Sequence, residues 1–229
     1  MKKFPFDSLD IVKKEDNENK TGKKHPKYAF KMLPIYVGGV LGLPIWSKAS
    51  VIGQTGNQYG LKVEAVATER IRFFAEMNYS KNGDTKSTDI DMLPNEVAKP
   101  TIEPGLTFKY WETSGLKSLN YLLGVQYQLG RNEKIHPYVA VAFNATTNLP
   151  FEVDFEYIDK ITSVEKKYLQ QVTTLGHLNR IYGALGMHWN AFPKGQIAAE
   201  TYFTTPINGD KSMTPTQIGF KVGVFYFIR

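Results

Sequence analysis

Gln217-Ile-Gly-Phe-Lys-Val-Gly-Val-Phe-Tyr-Phe-Ile-Arg229 is the stretch from which the fold can be read outward. Ile218, Phe220, Val222, Val224, Tyr226 and Ile228 occupy its even positions, all apolar. The odd positions carry Gln217, Gly219, Lys221, Gly223 and Arg229, with Phe225 and Phe227 as apolar exceptions. A period of two belongs to a β-strand whose faces meet two different media. The question is then how many other segments share the pattern and what lies on each side of them.

Seven earlier segments read the same way, at about 33–45, 57–67, 70–81, 117–129, 135–147, 179–191 and 195–205, before the last at about 216–228. Their connections alternate in length. Short ones lie at Ala67–Arg70, Gly130–Lys134 and Phe192–Gly195, the last with Pro193 and Gly195 suited to a tight turn. Long ones lie at about 46–56, 82–116, 148–178 and 206–215. Short turns at one end and long loops at the other are the pattern of a membrane-spanning barrel. The fold class is therefore all-β: an antiparallel up-and-down transmembrane β-barrel of eight strands. Strand-like pieces at Ile102–Trp111 and Phe151–Ile158 leave ten strands as the alternative, although long outward hairpins forming a β-collar are preferred.

The two faces of the strands differ sharply. Ile71, Phe73, Ala75, Met77 and Tyr79 oppose Arg72, Phe74, Glu76, Asn78 and Ser80. Leu119, Tyr121, Leu123, Val125 and Tyr127 oppose Asn120, Leu122, Gly124, Gln126 and Gln128. Charge collects mostly on one side, the apolar side being nearly charge-free: Lys62, Arg72, Arg180 and Lys221 with Glu64, Glu76 and Glu200. The apolar side carries Tyr79, Tyr121, Tyr127, Trp189 and Phe203 near strand ends, where aromatics suit headgroup depth. An eight-stranded barrel is only wide enough for side chains to fill it, so the charged set is expected to form a paired polar network closing the lumen. Two other readings remain. A soluble barrel binding a small apolar ligand would line its cavity with Leu123, Val125, Met187 and Val222, and a narrow channel would leave the lumen open.

Composition narrows the field. The chain has 229 residues, no cysteine, 13 Tyr, 14 Phe and 19 Gly. Disulfides and thiolate chemistry are thus excluded. Mean hydropathy is −0.32, and the longest apolar run, Met32–Trp46, is interrupted by two prolines and three glycines. A transmembrane helix, which needs about 20 apolar residues, is excluded. The net charge of +6 comes mostly from residues 1–31, with nine Lys against five Asp/Glu. Residues 1–32 read as a flexible polar lead-in and 33–229 as the barrel. The lead-in lacks the apolar core of a secretory signal after Met1-Lys-Lys, so export implies a leader lost or a longer protein. Nothing in the lead-in suggests nucleic-acid binding.

Four stretches carry a family resemblance. Lys221-x-Gly223-x-x-Tyr226-x-Ile228 resembles the signal that the barrel-assembly machinery reads at the end of outer-membrane barrels. Leu119-Asn-Tyr-Leu-Leu-Gly-Val-Gln-Tyr through Lys134-Ile-His-Pro-Tyr-Val-Ala-Val-Ala-Phe143 resembles strands four and five of the Bacteroidota outer-membrane β-barrel family, similar to PorT-like and OmpX-like barrels. Arg72–Ser80 and Ala198–Tyr202 resemble its third and seventh strands. The resemblance implies a bacterial outer-membrane location, a lipid bilayer and the assembly machinery as partners, and no catalytic residues. The histidines, His25, His136, His177 and His188, lack metal spacing. His136 reads as a surface turn residue, and His188 shares the charged face. No cofactor or metal is expected, and no enzymatic role. The long loops 82–116 and 148–178 are the candidate contacts with an extracellular or envelope partner.

Overall fold

The computed structural model describes residues 33–46, 55–93, 97–99, 103–130, 134–172, 177–207 and 216–228. The lead-in and its His25 lie outside the described residues, as do most of the connections 46–56 and 206–215. Among the described residues, twelve strands form two sheets. They are β1 (Ile35–Trp46), β2 (Gly56–Val66), β3 (Ile71–Asn82), β4 (Thr85–Ser87), β5 (Leu106–Thr113), β6 (Lys117–Gln128), β7 (Ile135–Asn148), β8 (Phe151–Asp159), β9 (Glu165–Val172), β10 (His177–Phe192), β11 (Gly195–Pro206) and β12 (Gln217–Phe227).

Eight of them close a barrel in the order β1-β12-β11-β10-β7-β6-β3-β2, each pair antiparallel. The seam joins β1 to β12, with Tyr36 opposite Phe227 and Trp46 opposite Gln217. Closure leaves no strand edge, which is what lets a sheet span hydrocarbon with every backbone group paired. The alternation in sequence becomes alternation in burial: β3 reads half-buried or exposed at odd positions and buried at even ones. Close backbone approach explains Gly60, where an added Cβ would sit 2.3 Å from the Met77 carbonyl oxygen. The short turn after β2 is held by Thr68, whose Oγ1 accepts from the backbone N–H groups of Arg70 (3.2 Å) and Ile71 (3.0 Å).

The remaining four strands form a second sheet, β4-β5-β8-β9. Each lies a few residues from a barrel strand: β4 follows β3, β5 precedes β6, β8 follows β7 and β9 precedes β10. Since β3, β6, β7 and β10 are consecutive neighbours in the barrel, the second sheet repeats their order beyond the long-loop rim. It is a one-sided collar. The segments Ile102–Trp111 and Phe151–Ile158 therefore do not add strands to the barrel. They supply β5 and β8 of the collar, from Leu106 and Phe151 respectively, with Ile102 outside the described residues. The alternative of ten barrel strands is thereby corrected to eight.

The collar has its own core. Leu106, Trp111, Phe151, Val153, Phe155, Tyr157 and Val172 pack together with Leu93 and Val97. A 3₁₀ turn at Ile90–Met92 precedes that cover, capped by Asp89, whose side chain accepts from the Asp91 N–H at 2.9 Å. Trp111 is fully buried and its indole N–H donates to the Asp89 carbonyl at 2.9 Å.

Candidate functional site

The interior is built from alternate residues of each of the eight barrel strands, even-numbered on seven of them and odd-numbered on β12. Every charged side chain that the alternation grouped together, Lys62, Glu64, Arg72, Glu76, Arg180, Glu200 and Lys221, is buried there. Register then sets their heights. Nearest the short turns, Arg72 donates through Nη1 to Glu64 Oε2 at 3.0 Å and to Gln196 Oε1 at 3.1 Å. Its guanidinium lies 5.3 Å from the Tyr36 ring centre. Gln128, with its amide oxygen turned toward Arg72, accepts from Nη2 and Nε at 2.9 and 3.0 Å.

Glu64 is the most heavily coordinated carboxylate. Besides Arg72 it receives Gln126 Nε2 at 3.3 Å and Gln196 Nε2 at 3.2 Å, with Lys62 Nζ at 3.3 Å and His188 Nε2 at 3.3 Å. One level up, Lys62 sits 3.6 Å from Glu200 and 4.6 Å from the Phe74 ring centre. Glu200 accepts from the hydroxyls of Tyr138 at 2.7 Å and of Tyr182. Above that, Lys221 pairs with Glu76 at 2.7 Å and approaches Glu200 at 3.8 Å, between the rings of Tyr182 and Tyr202. Asn78 donates to Glu76 at 2.8 Å. A neutral layer follows: Asn120 donates to Asn78 at 2.9 Å, Thr146 donates to Asn120 at 2.8 Å, and Ser80 and Ser118 meet at 2.7 Å.

Three carboxylates and three of the cations thus form one connected column. Arg180 is buried too, in register with Asn144 and Pro206. A buried charge without a partner costs several kcal/mol, and in this column each carboxylate has at least one cation within 4 Å. Its chemistry is neutralisation: each carboxylate is held by donors.

Sequence reasoning did not single out the aromatic part of this plug. Tyr138, Tyr182, Tyr202, Phe74 and Phe225 all point inward, and His188 stacks on Tyr138 at 4.5 Å. Their shared parity with the charges was the available signal. Phe225 and Phe227, the exceptions in the last strand, belong to this interior, Phe225 buried and Phe227 half-buried. Of the proposed assembly signal, Lys221 and Gly223 face inward while Tyr226 and Ile228 are exposed on the outer face. His136 is corrected: it lies within β7, half-buried, with Asn190 Nδ2 3.2 Å from its Nε2, because β7 already begins at Ile135, the residue before it. His177 is exposed at the start of β10, 3.1 Å from Thr147 Oγ1.

The outer face is the mirror image. Leu41, Leu61, Phe73, Met77, Leu123, Val141, Leu185, Val222 and their neighbours are exposed in a continuous band, Leu41 and Leu123 at 69%. Leu123, Val125, Met187 and Val222 are all on this side, so they line no internal cavity and the soluble apolar-ligand reading fails. On β3 the band runs from Arg70, whose Nη1 donates to Tyr127 at 3.0 Å, to Lys81. Eleven residue-to-residue steps of tilted strand span roughly 25–30 Å, close to the ~25 Å apolar height of a membrane barrel. Water on the outside and charge on the inside would be the least stable arrangement of these residues. The chain forms a transmembrane β-barrel embedded in lipid.

The collar carries a second polar cluster, on the face opposite its core. A bulge between Phe108 and Tyr110 turns Lys109 and Tyr110 to the same side. Both reach Glu156: Lys109 Nζ at 2.7 Å and the Tyr110 hydroxyl. Lys109 also donates to Glu165 at 2.5 Å, and Lys86 sits 3.4 Å from the Tyr110 ring centre. The hydrogen bonds from Lys109 and then from Tyr110 hold the Glu156 carboxyl down at about 2, while the bonds of Lys109 to Glu156 and Glu165 raise the Lys109 ammonium. The carboxylate is shielded by its partners more than by depth.

No family model and no curated protein matches the chain. Solved structures of similar architecture include the attachment invasion locus protein Ail of Yersinia pestis, at 9% identity over 85% of this chain and 97% of that one, TM-score 0.44. Neisserial surface protein A is similar at 10% identity over 84% of this chain and 96% of that one, TM-score 0.47. The outer membrane protein OprG of Pseudomonas aeruginosa is similar at 11% identity over 86% and 94%, TM-score 0.41.

Proposed function

We propose that the chain is a non-enzymatic outer-membrane barrel that conducts no solute and serves as a rigid base for a collar contacting surfaces outside the cell. The observation carrying this reading is the combination of a lumen closed by the Glu64–Glu200–Glu76 column with a folded, four-stranded collar on one rim. A channel needs an open path, whereas this interior spends its charges on one another. The collar ends in the β8–β9 hairpin, where Ile161, Val164 and Leu169 are exposed, a surface suited to an apolar partner outside the bilayer. The strand motifs at Leu119–Phe143 and Arg72–Ser80 support the Bacteroidota barrels as its relatives. Tyr226 on β12 and Ile228 just after it, both exposed, support recognition by the barrel-assembly machinery.

The test compares the whole chain with a variant in which short turns replace residues 84–114 and 150–176. In planar bilayers neither should give stepwise currents. Displayed on cells, only the whole chain should promote attachment to other surfaces, while both forms migrate differently on gels before and after boiling. Discrete channel currents, or equal attachment without the collar, would overturn the proposal.

A further inference from the structure

Lys81 and Lys117 end the outward faces of β3 and β6 at the long-loop rim, and they are direct cross-strand partners. Side chains so paired lie side by side with Cβ atoms about 5 Å apart, where like charges repel. Among the described residues, Lys81 is answered only by Asp84, at 3.4 Å, in a pair whose side chains are 43% and 65% exposed. Lys117 is half-buried and, among the described residues, has neither a hydrogen bond nor an ion pair through its ammonium group. The two lysines are thus direct cross-strand neighbours at the rim, with one exposed carboxylate, Asp84, for the pair among the described residues.

Their depth is informative. The next outward pair down the same strands is Tyr79 opposite Leu119, followed by Met77 opposite Tyr121. Tyr59 packs on Tyr79 at 5.1 Å. The lysines therefore stand at the upper edge of the apolar band, just above an aromatic girdle, where headgroups lie. Beside Lys81 opens a cavity of about 400 Å³ with two unlike walls. Leu43 and Ile45 make the apolar one, continuous with the lipid-facing surface of β1, and Asn57, Lys81, Asn82 and Asp84 contribute the polar one.

We propose that Lys81 and Lys117, with this cavity, hold the phosphate of an anionic lipid in the leaflet on the long-loop side. A phosphate has oxygens enough to accept from both ammonium groups at once, which converts their repulsion into a shared attraction. Asp84, largely exposed, is the weaker acceptor and yields Lys81 to the lipid. The apolar wall receives the glycerol end of the acyl chains, which a free anion would leave uncovered. The site rests on the transmembrane reading but not on any role of the collar.

The full chain is inserted into nanodiscs of equal phosphatidylglycerol and phosphatidylcholine, and the lipids retained on release are counted by native mass spectrometry. Phosphatidylglycerol should be enriched. Lys81→Gln and Lys117→Gln should each reduce the enrichment about fivefold, the factor for one cation at an anionic surface. Lys81→Arg with Lys117→Arg should retain it, and Lys160→Gln, on the collar, should leave it unchanged. Equal enrichment in the unaltered chain and in K81Q/K117Q overturns the proposal. Displacement of the lipid by millimolar inorganic phosphate also overturns it, since the site would then take phosphate without regard to acyl chains. Gel migration before and after boiling is scored separately: a chain that never closes refutes the transmembrane reading, and the site with it.

Discussion

Glu64 lies fully buried on β2 with Lys62, Arg72, Gln126, His188 and Gln196 around its two oxygens. Removing it leaves Lys62 and Arg72 in a dry interior without that acceptor, and breaking a buried pair from one side costs about 3–5 kcal/mol. Glu64→Ala is therefore expected to lower the unfolding free energy of the vesicle-inserted barrel by that amount in urea titrations, and Glu64→Gln by less, since its amide oxygen still accepts. Equal stability of Glu64→Ala and the unaltered chain would show that the column holds nothing in place. That Glu64 shares a face with Lys62 and Glu76 was legible from parity alone. Which of them touch was not. Lys221 reaches Glu76 across 145 positions of sequence, and only the register of every intervening strand sets their common height. Residue type is no guide either: Tyr182 is inside and Tyr121 outside, distinguished by parity and nothing else.

Among the elements, the eight barrel strands could be read to within a few residues because each separates two media along its length. The collar was legible only in part. β8 alternates Phe151, Val153, Phe155 and Tyr157 with acidic residues and is visible as a strand. β9, Glu165-Lys-Lys-Tyr-Leu-Gln-Gln-Val172, is exposed along most of its length and has no period to detect. The bulge that brings Lys109 and Tyr110 together breaks the alternation of β5 as well. Glu156 gives this sheet a pH dependence. Its carboxyl is depressed to about 2 in the folded collar from an ordinary value of 4.5. Its stabilising contribution is therefore complete above about pH 4.5 and is lost as pH falls toward 2. The Trp111 indole N–H resonance, fixed by its bond to Asp89, should stay constant from neutral pH to about 5 and shift below it. The acid shift should be absent from Glu156→Gln; an identical titration in that variant would assign it to other carboxylates.

At the scale of the whole molecule, equal exposure means different things in different places. Leu123 on the barrel is 69% exposed and Leu169 on the collar 62%. The first faces hydrocarbon and the second water. Leu123→Arg should cost about 2–4 kcal/mol in vesicles, while Leu169→Arg should stay within about 0.5 kcal/mol. Matching losses, measured by the same urea titrations, would contradict the apolar band as a lipid surface. The one-sided collar has a mechanical consequence as well. Its strands run on from β3, β6, β7 and β10, and antiparallel hydrogen bonds lie perpendicular to the strands they join. A tug on the outer hairpin is therefore delivered along the strand axes, loading whole ladders in shear, and cannot peel them apart one bond at a time. The molecule is built as an anchor whose grip is shared along the length of each strand.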